Sequence, residues 1–87
     1  MVQVLIPSQL QSYTGGASRA QARGGTVDAV LIDLDRQHPG IRFRVIDEQG
    51  RIRRHMRVYV GQERTLDIAR TLGETDEVLI FGALSGG

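Results

Sequence analysis

The residues best suited to chemistry are two consecutive glycines, Gly86 and Gly87, with which the sequence ends. A carboxylate carried on two glycines has no Cβ beside it, so it fits a cleft that excludes side chains. The five residues 83–87 reach roughly 17 Å when extended, at ~3.4 Å per residue. That reach would take the carboxylate from one domain into the active site of another protein. The alternative is a loose chain end without a function.

The composition excludes several other kinds of site. The 87 residues include no cysteine and only two histidines, His38 and His55, so we expect neither thiolate chemistry nor a metal site. The net charge of +1 provides no overall field that would attract nucleic acid or an acidic membrane surface. The sequence has no apolar run of ~18 residues and no leader pattern after Met1, which predicts a cytoplasmic protein.

Hydrophobic periodicity indicates a small domain of strands and one main helix. Thr26 is a good N-cap for an amphipathic helix that Pro39 and Gly40 stop. Residues 8–16 are expected to form a turn, residues 41–52 a mixed segment that ends in a turn, and residues 64–71 a short irregular or helical segment. Period-two alternation predicts strands over residues 2–6, near 17–22, over 56–60 and over 77–81.

This order of elements predicts an α+β fold of the β-grasp (ubiquitin-like) type. In that arrangement a mixed sheet of four to five strands packs one face against the main helix, with the first and last strands adjacent and parallel at its centre. The predicted domain covers residues 1–82. Residues 83–87 are predicted to form a flexible tail that ends in Gly-Gly.

Alternation along the last strand predicts an exposed apolar face. If Val78 and Ile80 point toward the helix, Leu79 and Phe81 must point to the opposite face of the sheet. The parity of their own strands adds Leu5 and Tyr59 to that face. Exposed apolar patches often mark protein interfaces, so we expect these four residues to bind a partner protein. The alternative is that Phe81 lies under a loop and fills the core.

Basic side chains are concentrated in one segment, before and within the third strand. Aromatic residues do not alternate with them, so we interpret the segment as a solvated turn and strand edge instead of a nucleic-acid site. Steering toward an acidic partner protein is the other interpretation left open. The segment contains Arg51, Arg53, Arg54, His55 and Arg57.

Short motifs occur along nearly the whole chain. They are Ile6-Pro7, Tyr13-Thr14-Gly15-Gly16, Gly25-Thr26, Val58-Tyr59-Val60-Gly61, residues 73–78, Ile80-Phe81 and Ser85-Gly86-Gly87. These motifs resemble those of the ubiquitin-like sulfur carriers, a family that includes the molybdopterin synthase small subunit, the thiamine sulfur carrier and the cysteine-biosynthesis carrier. The N-terminal part is closest to the cysteine-biosynthesis branch. One departure is Gly82-Ala83-Leu84, where many members have prolines.

The resemblance implies a function for the chain end. An ATP-dependent enzyme of the ubiquitin-activating type would adenylate the Gly87 carboxylate, and a sulfur donor would convert it to a thiocarboxylate. That group would give its sulfur to a biosynthetic enzyme. The chain would be a co-substrate with no catalytic residues and no bound cofactor, since only the partner uses ATP. Gly86, Ser85 and Leu84 would form the tail that enters the partner, and Leu84 would also contact it.

The resemblance leaves the pathway and two other functions open. It favours cysteine or a sulfur-containing metabolite as the product, with molybdopterin or thiamine as the other candidates. A ubiquitin-like modifier would use Gly87 in the same way but join it to lysines of target proteins. A small interaction module with an incidental tail would keep its function after Gly86 and Gly87 were deleted.

Overall fold

The computed structural model describes residues 1–82, which form one sheet, two α-helices and a 3-10 helix. The strands are β1 (Val2–Leu5), β2 (Arg19–Ala22), β3 (Met56–Val60), β4 (Glu63–Thr65) and β5 (Glu77–Gly82). The helices are a 3-10 helix (Ser8–Thr14), α1 (Val27–Gln37) and α2 (Ile41–Val45).

The five strands lie in the order β2-β1-β5-β3-β4, so the last strand occupies the centre of the sheet. β1 and β5 run parallel with Val4 opposite Val78, and β5 runs antiparallel to β3 with Ile80 opposite Val58. The remaining pairs, β1 with β2 and β3 with β4, are antiparallel. The predicted β-grasp arrangement, with the first and last strands adjacent and parallel, is therefore confirmed.

Helix α1 begins and ends where its capping residues predict. The Thr26 hydroxyl accepts a hydrogen bond from the Ala29 N–H at 3.1 Å, which satisfies one of the free donors of the first turn. The backbone N–H of His38 closes the last turn on Leu34. The apolar positions of the helix repeat every three or four residues and pack on the sheet. Four of its residues are fully buried: Val27, Val30, Leu31 and Leu34.

The core lies between α1 and one face of the sheet. Side chains alternate along each strand, so every second residue of β1, β3 and β5 points into the core. Val4, Val58, Val78 and Ile80 are completely buried in this way. The residues between them point to the opposite face, which no helix covers in the part of the chain that the structure describes.

Two segments differ from the prediction because local packing overrides their pattern. Residues 8–14, expected as a turn, form a 3-10 helix that buries Leu10 and Thr14. Ile41 and Val45 are spaced four apart on α2, and both are fully buried. Phe43, which lies between them in the segment predicted as mixed, points outward and is 53% exposed. Residues 41–45 are therefore helical because burial of Ile41 and Val45 follows the spacing of a helix.

The strands also differ from the prediction at four places. The first strand ends at Leu5, one residue earlier than expected, and the second starts at Arg19, two residues later. The last strand extends one residue further, to Gly82. The short strand β4 was missed altogether, because its three residues are mostly polar and its stability comes from pairing with β3. Gly61 makes this pairing possible, since its φ of +60° belongs to the left-handed region that a tight turn requires.

One buried carboxylate connects α1 to the end of β2. The Asp33 side chain accepts a hydrogen bond from the Arg23 backbone N–H at 2.9 Å and pairs with the Arg36 guanidinium. Gln37 Nε2 donates to the same carboxylate at 3.1 Å. The Arg23 N–H and then the Arg36 side chain hold the pKa of Asp33 below its ordinary value of 3.8, although its burial opposes them.

Asp33 is expected to give the domain part of its sensitivity to acid. Because its folded pKa lies below the unfolded value, its stabilising contribution is complete above the unfolded value and is lost as the pH falls through the folded one. Urea unfolding between about pH 5 and pH 2 should show a smaller loss of stability for Asp33→Asn than for the wild type. An identical loss in both proteins would contradict this role.

Candidate functional site

The site predicted from the sequence has two parts, a tail and the sheet face beside it. The tail residues Leu84, Ser85, Gly86 and Gly87 lie outside the described residues. The described residues end at Gly82, the last residue of the central strand, which lies opposite Met56 of β3.

The structure places the four predicted partner-binding residues on the sheet face opposite α1. The register sets Leu79 of β5 directly between Leu5 of β1 and Tyr59 of β3. All three are half-buried, and Phe81, two residues further along β5, is 41% exposed. Phe81 therefore does not fill the core. We call the surface formed by Leu5, Tyr59, Leu79 and Phe81 the apolar face.

Two aromatic rings give the apolar face its shape. The rings of Tyr59 and Phe81 meet edge to face, with centroids 5.5 Å apart and planes at 84°. This arrangement is favourable for aromatic pairs and fixes both rings. Together with Leu79 they line a shallow groove that continues to Gly61 and Gln62. The groove lies on the same strand as Gly82, and therefore next to the start of the tail.

Gly82 itself makes a close contact that no larger residue permits in the same geometry. A Cβ added at this position would overlap the side-chain amide of Gln9, which belongs to the 3-10 helix. The side chain of Gln9 therefore covers the last residue of β5.

The position of the arginines relative to the tail was not visible in the sequence. Arg57 lies opposite Phe81 in the register, and its guanidinium donates to the backbone carbonyls of Arg54 and Met56 at 2.6 and 3.0 Å. Arg54 and His55 are exposed, as the interpretation of a solvated edge requires. The pairing of Met56 with Gly82 adds that this edge is the end of the sheet from which the tail departs.

Residues 1–82 contain no group of three His, Cys, Asp or Glu side chains arranged to hold a metal ion. Over the same residues, the helices are too short and too polar to span a lipid bilayer.

Comparison with known proteins supports one family. No protein-family profile matches the chain. The sulfur carrier protein CysO of Mycobacterium tuberculosis is 34% identical over 91 aligned residues, which cover 99% of this chain and 98% of CysO. CysO of Mycobacterium bovis matches to the same extent.

Solved structures of the same family match over the whole fold. The crystal structure of M. tuberculosis CysO has a TM-score of 0.90 at 32% identity, covering 97% of this chain and all of CysO. The Amycolatopsis orientalis BexX/CysO complex contains a chain with a TM-score of 0.91 at 31% identity, and both chains are covered fully. SAMP1 from Haloferax volcanii has a TM-score of 0.77 at 25% identity, with 99% and 98% coverage.

The identity to CysO extends over nearly the full length of both chains, and the structural likeness covers 97% of this chain. CysO is a sulfur carrier protein, which is a substrate-like carrier rather than a catalyst. This chain is accordingly a member of the CysO family of ubiquitin-like sulfur carrier proteins.

Proposed function

We propose that the carboxylate of Gly87 is the group that carries the sulfur. The single observation that supports this most strongly is the full-length likeness to CysO, in a sequence that ends in Gly-Gly. β5 leads directly to these residues, since the tail follows Gly82. Partner proteins would then bind the domain of residues 1–82, and residues 83–87 would be the reactive tail.

The chemistry proceeds in two steps on a partner enzyme. A carboxylate oxygen of Gly87 attacks the α-phosphate of ATP, which releases pyrophosphate and leaves an acyl adenylate. Hydrosulfide then attacks the acyl carbon and displaces AMP, which leaves a thiocarboxylate and one proton. Adenylation is needed because a free carboxylate is a poor electrophile. This chain contributes the acyl group alone, since it has no cysteine that could act as a nucleophile.

We infer that the apolar face contacts the activating enzyme of the ubiquitin-activating type. It presents side chains from three adjacent strands and lies beside the start of the tail. Burying these side chains removes apolar surface from water, and that gain drives most protein association. The Tyr59 and Phe81 rings, already fixed against each other, lose little freedom on binding. On the tail itself, Leu84 is the further contact that we propose.

Phe81→Ala is expected to weaken docking while leaving the domain folded. The ring is 41% exposed, so its removal should raise the KM for the activating enzyme about tenfold and change kcat little. The matched control is Ile32→Ala, which removes a side chain 52% exposed on α1, on the opposite side of the sheet. Steady-state rates of pyrophosphate release measure both. Equal effects of the two substitutions would contradict docking through the apolar face.

The receiving enzyme is proposed to make cysteine or another sulfur-containing metabolite. This assignment is supported by the CysO relatives and by the solved complex of a CysO with BexX. The likeness to the CysO carriers favours this class of product over molybdopterin or thiamine. The proposed reactions consume ATP, so we place them in the cytoplasm.

A second candidate function is conjugation of Gly87 to lysine side chains of other proteins. The fold likeness to SAMP1, described as a small archaeal modifier protein, favours it. The chain contains no lysine of its own. A conjugated copy could therefore not accept a second copy on a lysine side chain. Detection of Gly87 joined to target lysines in cell extracts would support this function.

Intact mass spectrometry tests the proposed function directly. The protein is incubated with ATP, sulfide and an activating enzyme of the ubiquitin-activating type, and its mass is compared before and after. We expect a gain that corresponds to the replacement of one oxygen by sulfur, and none without ATP. An unchanged mass with several such enzymes, under conditions in which a CysO protein reacts, would overturn the proposal.

A further inference from the structure

Positively and negatively charged residues are concentrated in different segments of the chain, although the net charge is only +1. Residues 43–57 contain five arginines, one histidine and two carboxylates, which gives this segment a net charge of +3 with the histidine neutral. Residues 60–77 contain five carboxylates and two arginines, for a net charge of −3. The small overall charge therefore conceals two segments of opposite sign.

The strand register places these two segments at opposite ends of the sheet. The central strand β5 starts at Glu77, after a turn in which the Asp76 carboxylate accepts the Gly73 N–H at 2.8 Å. It ends at Gly82, opposite Met56, and the chain reaches Met56 through a basic turn. Arg44 and His55 line one cleft together with Met56. The basic end of the sheet thus comprises Arg44, Arg53, Arg54, His55 and Arg57.

Three guanidinium groups of the basic end, those of Arg44, Arg53 and Arg57, have neutral acceptors as partners. Arg44 Nε donates to the Tyr13 hydroxyl at 2.6 Å, and Arg53 Nε donates to the Phe43 carbonyl at 2.7 Å. Arg57 likewise donates to backbone carbonyls. The ion pairs found within residues 1–82 involve other arginines: Arg36, Arg42 and Arg70. Within residues 1–82, no carboxylate therefore forms an ion pair with Arg44, Arg53 or Arg57. The hydrogen bond from the Arg51 N–H and, less strongly, the charge of Arg53 do lower the pKa of Asp47.

We propose that the basic end binds an acidic rim around the active-site entrance of the adenylating enzyme. The inference rests on the proposed function, because it assumes that Gly87 enters that active site. Residues 83–87 span at most roughly 17 Å, so any enzyme that holds Gly87 lies close to Gly82 and faces the basic end. The acidic end of the sheet points away. Charge separated in this way orients the carrier so that its tail approaches first.

Charge reversal at one position of each end tests the inference. Arg54→Glu changes an exposed residue of the basic end, and Arg23→Glu changes an exposed residue beside Gly73 and Glu74 at the other end. Both substitutions alter the net charge equally. At low salt, Arg54→Glu is expected to raise the KM for the adenylating enzyme about fivefold, while Arg23→Glu changes it less than about twofold. The difference should shrink between about 0.05 M and 0.5 M salt.

Two further measurements separate this effect from others. Arg54→Lys keeps the positive charge, so its KM is expected to equal that of the wild type. Equal thermal unfolding midpoints would show that all the variants are folded. Equal KM values for Arg54→Glu and Arg23→Glu, with normal gain of sulfur, would overturn this inference and leave the proposed function standing. If the wild type gained no sulfur, the proposed function itself would fail.

Fluorescence anisotropy with a labelled single-stranded RNA of mixed sequence distinguishes a protein partner from a nucleic acid. We expect no binding at about 0.15 M salt, since binding to phosphates alone is weak at this ionic strength. RNA binding that Arg54→Glu abolished, with no change in KM for the adenylating enzyme, would assign the basic end to nucleic acid and overturn the inference.

Discussion

Deleting Gly87 is expected to abolish formation of the thiocarboxylate. The shortened chain ends in the carboxylate of Gly86. This carboxylate lies ~3.4 Å short of the position that the Gly87 carboxylate reaches in the full chain. A displacement of 1 Å at a reacting centre already lowers rates on the order of a hundredfold. For this variant, both the rate of pyrophosphate release and the gain in intact mass should fall below detection. A deletion variant that still gained sulfur would show that Gly87 is not the acyl group.

Gly86→Val is the companion substitution, since it keeps the length of the tail but adds a branched side chain. We expect it to lower kcat/KM by at least about a hundredfold, because the narrow cleft that accepts glycine has no room for the added carbons. Ser85→Ala is the matched control in the same segment and is expected to change the rate less than about threefold. Similar rates for Gly86→Val and Ser85→Ala would argue against a narrow cleft.

Ile80→Ala is expected to destabilise the whole domain by about 3–4 kcal/mol. Ile80 is completely buried on the central strand, opposite Val58 and beneath α1. Truncation leaves a cavity in addition to the lost apolar burial, and a core this small cannot relax far enough to fill it. Natural domains are stable by only about 5–15 kcal/mol, so a large part of the total would be lost. Urea unfolding at neutral pH measures the change.

The neighbouring residue on the same strand provides the control. Phe81→Ala removes a larger side chain, yet it is expected to destabilise the domain by less than about 1 kcal/mol because the ring lies on the exposed face. The two substitutions therefore distinguish a residue that stabilises the fold from an adjacent residue that contacts a partner. If Phe81→Ala destabilised the domain as much as Ile80→Ala, the assignment of these residues to opposite faces would be wrong.

Sequence patterns predicted the elements whose local preference agrees with their packing. Thr26 and Pro39 mark the ends of α1, and alternation along β5 separates Ile80 from Phe81. Three short elements were not predicted because tertiary contacts decide them. In α2, five residues are too few for a helical period to be recognised against the spacing of Ile41 and Phe43. β4 depends on its partner strand, and the 3-10 helix depends on burial of Leu10.

The same distinction applies to the candidate site. Parity along the strands was enough to group Leu79 and Phe81 with Tyr59, since it needs only the alternation of side chains. The location of Arg54 and His55 beside the start of the tail depends on which residue of β3 lies opposite Gly82. That register is set by long-range pairing, and a single sequence carries no direct signal of it.

The central position of β5 also has a consequence for how the protein is made. Translation releases β5 last, so the ribosome-bound chain holds two separate hairpins, β1 with β2 and β3 with β4, and no strand to join them. Isolated two-stranded hairpins are at best marginally stable, and the domain therefore folds only when synthesis is nearly complete. A chain terminated before β5 is therefore expected to stay unfolded and to be open to proteolysis.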